Sequence, residues 1–170
     1  MSGGLFLFRE MRYPLPMNAI ILIGIPASGK STFYQQRFFF THMRISLDMF
    51  KTRHREKLLV ESCLAARQPF VVDNTNASAQ ERARFIGPAH AAGFRVIGYY
   101  LGSTVADALE RNRRRLGKGR IPDKGVAGVV ARLEVPTLGE GFDELWFVRM
   151  DGEGGFVVEE WVEDGRTLGR

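Results

Sequence analysis

The sequence predicts an α/β fold, a parallel β-sheet flanked by helices on both faces. Three observations carry that prediction. Residues 18–23 (NAIILI) form a short, continuous apolar run rich in β-branched side chains and ended by Gly24, the pattern of a strand buried on both faces. Strand-like and helix-like segments then alternate along the chain, and right-handed βαβ crossovers put the helices of such a chain on both faces of a parallel sheet. Between the first strand and the first helix, residues 24–31 (GIPASGKS) fill every position of the pattern G-x-x-x-x-G-K-[ST].

The remaining elements follow in order. The first helix is predicted over Lys30 to Phe39 and a second short strand over Arg44 to Leu47. Arg53 to Ala66 reads as a helix with Leu58, Leu59, Cys63 and Ala66 turned inward, and Pro69 follows its end. Phe70 to Val72 is the next strand. Ser78 and Glu81 make a capping-box pattern, in which a hydroxyl and a carboxylate satisfy the free N–H groups of a helix that runs to Ala92 before Gly93 ends it. Val96 to Leu101 is a strand and Thr104 to Arg115 a helix. Leu116 to Asp123 is a Gly- and Lys/Arg-rich loop before a helix over Gly125 to Leu133. The sequence closes with a strand over Leu145 to Met150 and a hairpin partner over Phe156 to Trp161.

A length of 170 residues, 45% of them hydrophobic and 25% charged, suits one globular domain. Residues 18–170 are taken as that domain. Met17 stands immediately before the first strand, so residues 1–17 read as an N-terminal extension or a mis-set start. No apolar stretch is long enough to span a bilayer, so no membrane association is expected. Cys63 is the single cysteine, flanked by Leu59, Val60 and Leu64, which predicts a core thiol and fits a reducing cytoplasm. The net charge of +5 permits an anionic partner without requiring one.

The glycine-rich pattern has a direct chemical reading. Gly24 and Gly29 allow backbone conformations that aim successive N–H groups at phosphate oxygens, and the following helix adds its positive N-terminal end. Lys30 can reach the outer phosphates of ATP and the Ser31 hydroxyl can hold Mg²⁺, with Pro26, Ala27, Ser28 and Thr32 completing the cofactor-binding stretch. ATP and Mg²⁺ are therefore the expected cofactors, in a P-loop NTPase or kinase fold. The alternative is a strand-to-helix turn that binds nothing. An Asn-Lys-x-Asp guanine signature is absent, which argues against a GTPase.

Candidate acceptor chemistry lies further along. Asp48 follows the second strand, where a carboxylate can take the proton of an attacking hydroxyl or N-cap the following helix. Asp73 closes an apolar strand and opens the block DNTN, so it either holds Mg²⁺ or makes an Asx-type turn. Arg111, Arg113, Arg114 and Arg115, followed by Lys118, Arg120 and Lys124, form either a solvated helix face or a basic lid that brings a cation to the transferring phosphoryl group. His42, His54 and His90 lack ligand spacing and read as surface residues.

Taken together, GIPASGKST, SLD, VVDNTNASAQERARF, ALERNRRR and the late PTLGEGF resemble, in order and spacing, the polynucleotide 5′-hydroxyl kinase family, over roughly residues 19–145. The resemblance implies Asp48 as general base, Arg115 as the lid contact to the transferring phosphates, and Asp73 or Asn74 near the metal or the acceptor; Arg111, of the basic segment, is expected beside the nucleotide. Lys51 stands where the phage-type enzyme has an acceptor-binding arginine, and lysine keeps the charge but loses the bidentate fork. An Asp-x-Asp-x-Thr phosphatase motif is absent, so 3′ end-processing is not expected of this sequence.

The leading expectation is transfer of the γ-phosphoryl of ATP to the 5′-hydroxyl of DNA or RNA, with a nucleic-acid end as partner. A kinase for a small-molecule or tRNA-linked hydroxyl would use the same groups. A nucleotide-dependent ATP-binding protein is the third class.

Overall fold

The computed structural model describes residues 17–163, the Lys118 side chain excepted. Residues 1–16 of the expected extension lie outside the described residues. Among the described residues six strands form one sheet: β1 (Asn18–Ile23), β2 (Met43–Ile45), β3 (Phe70–Asp73), β4 (Arg95–Leu101), β5 (Glu144–Met150) and β6 (Phe156–Glu160). Their order is β2-β3-β1-β4-β5-β6, with all neighbours parallel except the antiparallel β5–β6 hairpin. The helices are α1 (Lys30–Arg37), α2 (Leu47–Phe50), α3 (Arg53–Ala65), α4 (Ala79–Ala91), α5 (Val105–Arg113) and α6 (Asp123–Arg132).

The unbroken apolar run of β1 is explained by its place in mid-sheet. Ala19, Ile21 and Ile23 pack on one face against Val60 and Cys63 of α3 and Phe85, Ile86 and Ala89 of α4. Ile20 and Leu22 pack on the other face against Phe33 and Tyr34 of α1. Each such side chain contributes about 1.5–3 kcal/mol by leaving water. The predicted helices on both faces are thus present, and Cys63 is a buried free thiol whose titration burial pushes up.

Several boundaries differ for tertiary reasons. α1 stops at Arg37, because the chain turns at Phe38 and leaves Phe40 94% exposed. β2 ends at Ile45, and residues 47–50 form a one-turn helix that the sequence reading placed partly in a strand. Its first N–H, from Leu47, is satisfied by Asn74 Oδ1 at 2.8 Å, a partner 27 residues away. On α3 the inward face is Glu56, Val60 and Cys63 rather than Leu58 and Ala66, which are exposed. Glu56 is drawn in because it accepts from Asn74 Nδ2 at 2.6 Å and Arg53 Nη1 at 2.8 Å. His42 is half-buried rather than a surface residue, its Nε2 enclosed and its titration pushed down by burial. His54 and His90 are exposed as expected.

The α4 start keeps the Ser78 half of the expected capping box, Oγ accepting from Glu81 N at 3.2 Å, but the Glu81 carboxylate reaches past the cap to accept from Ala77 N at 2.8 Å. Among the described residues no helix is long and apolar enough to cross a membrane.

Candidate active site

The phosphate loop is held from several sides. Gly29 begins α1 in the left-handed region at φ 98°, and a Cβ there would collide with Met150 Cε. A Cβ on Gly24 would sit 2.9 Å from the Leu101 carbonyl oxygen, so only glycine lets β1 pass β4 there. Ala27 takes φ 62° without being glycine, and its carbonyl accepts from Arg111 Nε at 2.7 Å. Strained backbone of this kind persists only where its surroundings hold it. Arg111, expected beside the nucleotide, reaches the loop backbone and the Ser103 hydroxyl instead of lining the cleft.

Lys30 lies across the loop and donates to the Gly24 and Ile25 carbonyls at 2.8 Å each. Burial lowers its pKa to about 8, with Asp73 and Asp48 opposing the shift and Arg115 adding to it. Ser31 Oγ donates to Asp73 Oδ2 at 2.9 Å, so the two groups expected to hold a metal stand side by side where α1 begins and β3 ends. A hydroxyl and a carboxylate, with phosphate oxygens to complete the shell, suit Mg²⁺, which takes few protein ligands.

The DNTN block ties this corner together residue by residue. Asp73 meets Ser31, Asn74 bridges α2 to Glu56 of α3, the Thr75 carbonyl accepts from Gly24 N at 3.1 Å, and Asn76 Nδ2 donates to the Leu22 carbonyl at 2.7 Å. Asn74 thus has its amide committed within the protein.

These groups surround a cleft of about 190 Å³. Of the expected site residues, Pro26, Ala27, Gly29, Lys30, Ser31, Asp48, Asp73, Asn74 and Arg115 line it. Gly24 and Ser28 are buried behind the loop, while Thr32 and Lys51 are exposed outside it. Lys51 ends α2 at φ 67° with Nζ on the Asp48 carbonyl. The N-cap alternative for Asp48 does not hold: Ser46 precedes α2, Thr52 caps α3 by accepting from Arg55 N at 3.3 Å, and Asp48 sits within the first turn of α2. Among the described residues its carboxylate has no hydrogen-bond partner.

Two arginines escaped the sequence reading. Arg53 lines the cleft beside Asp48, and Arg44 of β2 donates to both Asp73 and Ser31. A charged residue inside a three-residue strand was the available signal for Arg44. On the lid side, buried Asn112 clamps Ile121 by two bonds, Nδ2 to the Ile121 carbonyl at 2.6 Å and Ile121 N to Oδ1 at 3.0 Å. That clamp closes the base of the basic loop and sets Arg115 over the cleft, while Arg114 turns away to Glu110.

The phosphate loop, Asp48, Asp73 and Arg115 thus line one cleft. A family model described as an AAA domain matches residues 20–136, well over half of the chain. The chain belongs to this AAA domain family. It is a P-loop, nucleotide-binding type of domain with kinase-like architecture. The bifunctional polynucleotide phosphatase/kinase of Schizosaccharomyces pombe is 26% identical over 130 residues, which cover 74% of this chain and 32% of the relative. The chain therefore spans about a third of the length of the curated relative it matches.

Among solved structures, Chaetomium thermophilum Kti12 in complex with ADP-AlF3 aligns with TM-score 0.61 at 20% identity, over 78% of this chain and 89% of that one. The PezAT toxin-antitoxin system of Streptococcus pneumoniae aligns with TM-score 0.60 at 14% identity, over 89% and 75%. At these identities both match the fold.

Proposed function

We propose that the protein transfers the γ-phosphoryl group of ATP to the 5′-hydroxyl end of a nucleic acid. The observation that carries this reading is the Asp48 carboxylate, which faces the same cleft as Lys30 and Arg115 without a hydrogen-bond partner among the described residues. An exposed carboxylate that lines the cleft, acts electrostatically on Lys30 and is not tied up within the protein is free to accept a proton from a hydroxyl held over the phosphate loop. The loop with Lys30 would hold ATP and Ser31 with Asp73 would hold Mg²⁺; when bound, ATP would supply the phosphoryl group and the ion positive charge beside it.

The protein's own groups do the rest. Lys30 exchanges loop carbonyls for phosphate oxygens, and Ser31 with Asp73 fixes the metal side. Arg115 brings positive charge from the lid to the equatorial oxygens, a contribution of roughly 10³–10⁵ in rate where such an arginine acts. Asp48 takes the hydroxyl proton as the acceptor oxygen bonds to phosphorus and the bond to the ADP oxygen breaks. Arg53, which lines the cleft with Asp48 and pairs with Glu56, and Lys51, exposed at the end of α2, are cations suited to the phosphates that follow a 5′ end. The order of motifs and the name of the Schizosaccharomyces pombe relative support a polynucleotide acceptor over a metabolite.

The test is labelled-phosphate transfer from ATP to hydroxyl-ended DNA and RNA oligonucleotides, with nucleosides and water as competing acceptors. Transfer to oligonucleotides ahead of nucleosides is expected. Transfer to small hydroxyl compounds alone would assign a small-molecule kinase, and release of phosphate to water alone would assign a nucleotide-dependent ATPase.

A further inference from the structure

One cation bonded to two cleft residues, though not itself lining the cleft, has no part in the proposed chemistry. Arg44 donates through Nε and Nη2 to Asp73 Oδ2 at 2.8 and 2.6 Å, and Nη2 also donates to Ser31 Oγ at 3.0 Å. Its guanidinium is placed over the Tyr34 ring, 5.7 Å from the centroid, and the Asp73 side chain is 2% exposed. With the Ser31 hydroxyl included, three groups donate to Asp73 Oδ2, which saturates that oxygen. Among the described residues no three His, Cys, Asp or Glu side chains gather to hold a metal. An ion arriving alone therefore meets one hydroxyl, one engaged carboxylate and a fixed positive charge. Magnesium surrenders its waters reluctantly and needs a near-octahedral set of oxygens, so such a site is poor without phosphates.

We infer that Arg44 is a resident counter-cation of the metal site. It occupies Ser31 and Asp73 while the cleft lacks nucleotide and so opposes a divalent ion arriving alone. The inference rests on the reading that Ser31 and Asp73 form the metal side of the cleft. Nucleotide phosphates bring enough negative charge to outweigh the repulsion, and they complete the coordination shell.

The experiment is a titration of Mn²⁺, a paramagnetic stand-in for Mg²⁺, followed by the resonance of the free ion, with and without saturating ADP. In the unaltered protein Mn²⁺ alone is expected to bind on the order of a hundredfold more weakly than with ADP, and tight binding of the metal alone would overturn the inference. In Arg44→Gln, Mn²⁺ alone should bind on the order of tenfold more tightly than in the unaltered protein, with little change when ADP is present. A folded Arg44→Gln protein with unchanged or weaker metal binding sinks the proposal, whatever its melting temperature does. Should that variant fail to fold, Arg44→Met, which keeps the apolar stem over the Tyr34 ring and removes the charge, is titrated in its place: tighter binding of Mn²⁺ alone supports the inference, and unchanged or weaker binding overturns it. Asp73→Asn separates the inference from the reading beneath it: unchanged Mn²⁺ binding with ADP removes Asp73 from the metal site, whereas weakened binding beside an inert Arg44→Gln removes only the role given to Arg44.

Discussion

Lys30 and Asp48 show how single side chains set the behaviour of the cleft. Burial holds the Lys30 pKa down to about 8, against the pull of Asp73. Phosphates favour the ammonium form, so nucleotide binding above that pH must take up a proton. ATP affinity is expected to be flat below about pH 8 and to fall by roughly tenfold per pH unit above it. Calorimetry in buffers of different ionisation enthalpy measures this proton uptake directly, and Lys30→Arg should abolish it, because a guanidinium stays charged. Lys30→Ala should cost on the order of 10² or more in transfer. At Asp48 the substitution to Asn keeps size and polarity but cannot accept the proton. Since Ser46 and Thr52 occupy the cap positions, activity should collapse while the melting temperature barely moves. Surviving transfer in that variant would take the base role away from Asp48.

At the scale of elements, the late PTLGEGF segment turns out to be a fastening. Arg82 of α4 is fully buried and makes a two-pronged pair with Glu140 at 2.6 and 2.7 Å, while its Nη1 donates to the carbonyls of Asn76, Ala77 and Glu134. Glu140 also accepts from Thr137 N at 3.1 Å, completing a capping box. One side chain thus joins the end of the DNTN block, α4 and the segment leading into β5. Arg82→Met should destabilise the fold by about 3–5 kcal/mol, since it leaves a carboxylate and several carbonyls short of partners. Denaturant melts would register that loss, and ATP affinity of the folded fraction should stay close to that of the unaltered protein. A comparable drop in ATP affinity at full folding would instead mean that Arg82 acts on the cleft.

For the whole molecule, the question is whether the surface around Asp48 tracks a phosphate chain. Each phosphate neutralised by lysine or arginine releases counterions, so single-strand binding should weaken with a log–log salt slope of about −0.7 per contact. Oligonucleotides should be better acceptors than nucleosides at low salt, with the advantage shrinking as salt rises while ATP binding changes much less. Arg115→Ala should chiefly lower turnover and Lys51→Ala chiefly weaken acceptor binding. Equal efficiency on nucleoside and oligonucleotide at every salt would contradict a strand-tracking surface.

The sequence by itself determined the parallel sheet, the phosphate loop, the α4 cap and the buried cysteine, because each depends on residues close along the chain. A run such as NAIILI has one stable environment, and a complete G-x-x-x-x-G-K-S between strand and helix has one geometry. What only the tertiary structure decided depends on partners far apart in sequence. Glu56 turned α3 by drawing toward Asn74, 18 residues on. Asn74 made a helical turn where a strand was expected by capping Leu47. Arg111 went to the loop backbone, and Arg44 reached Asp73 across 29 residues to sit beside the two groups proposed to hold the metal. A buried polar group must find a partner, but nothing in local spacing says which one. That choice is made when β2, β3 and α1 come together, which is why the loop was readable from the chain and the cation beside it was not.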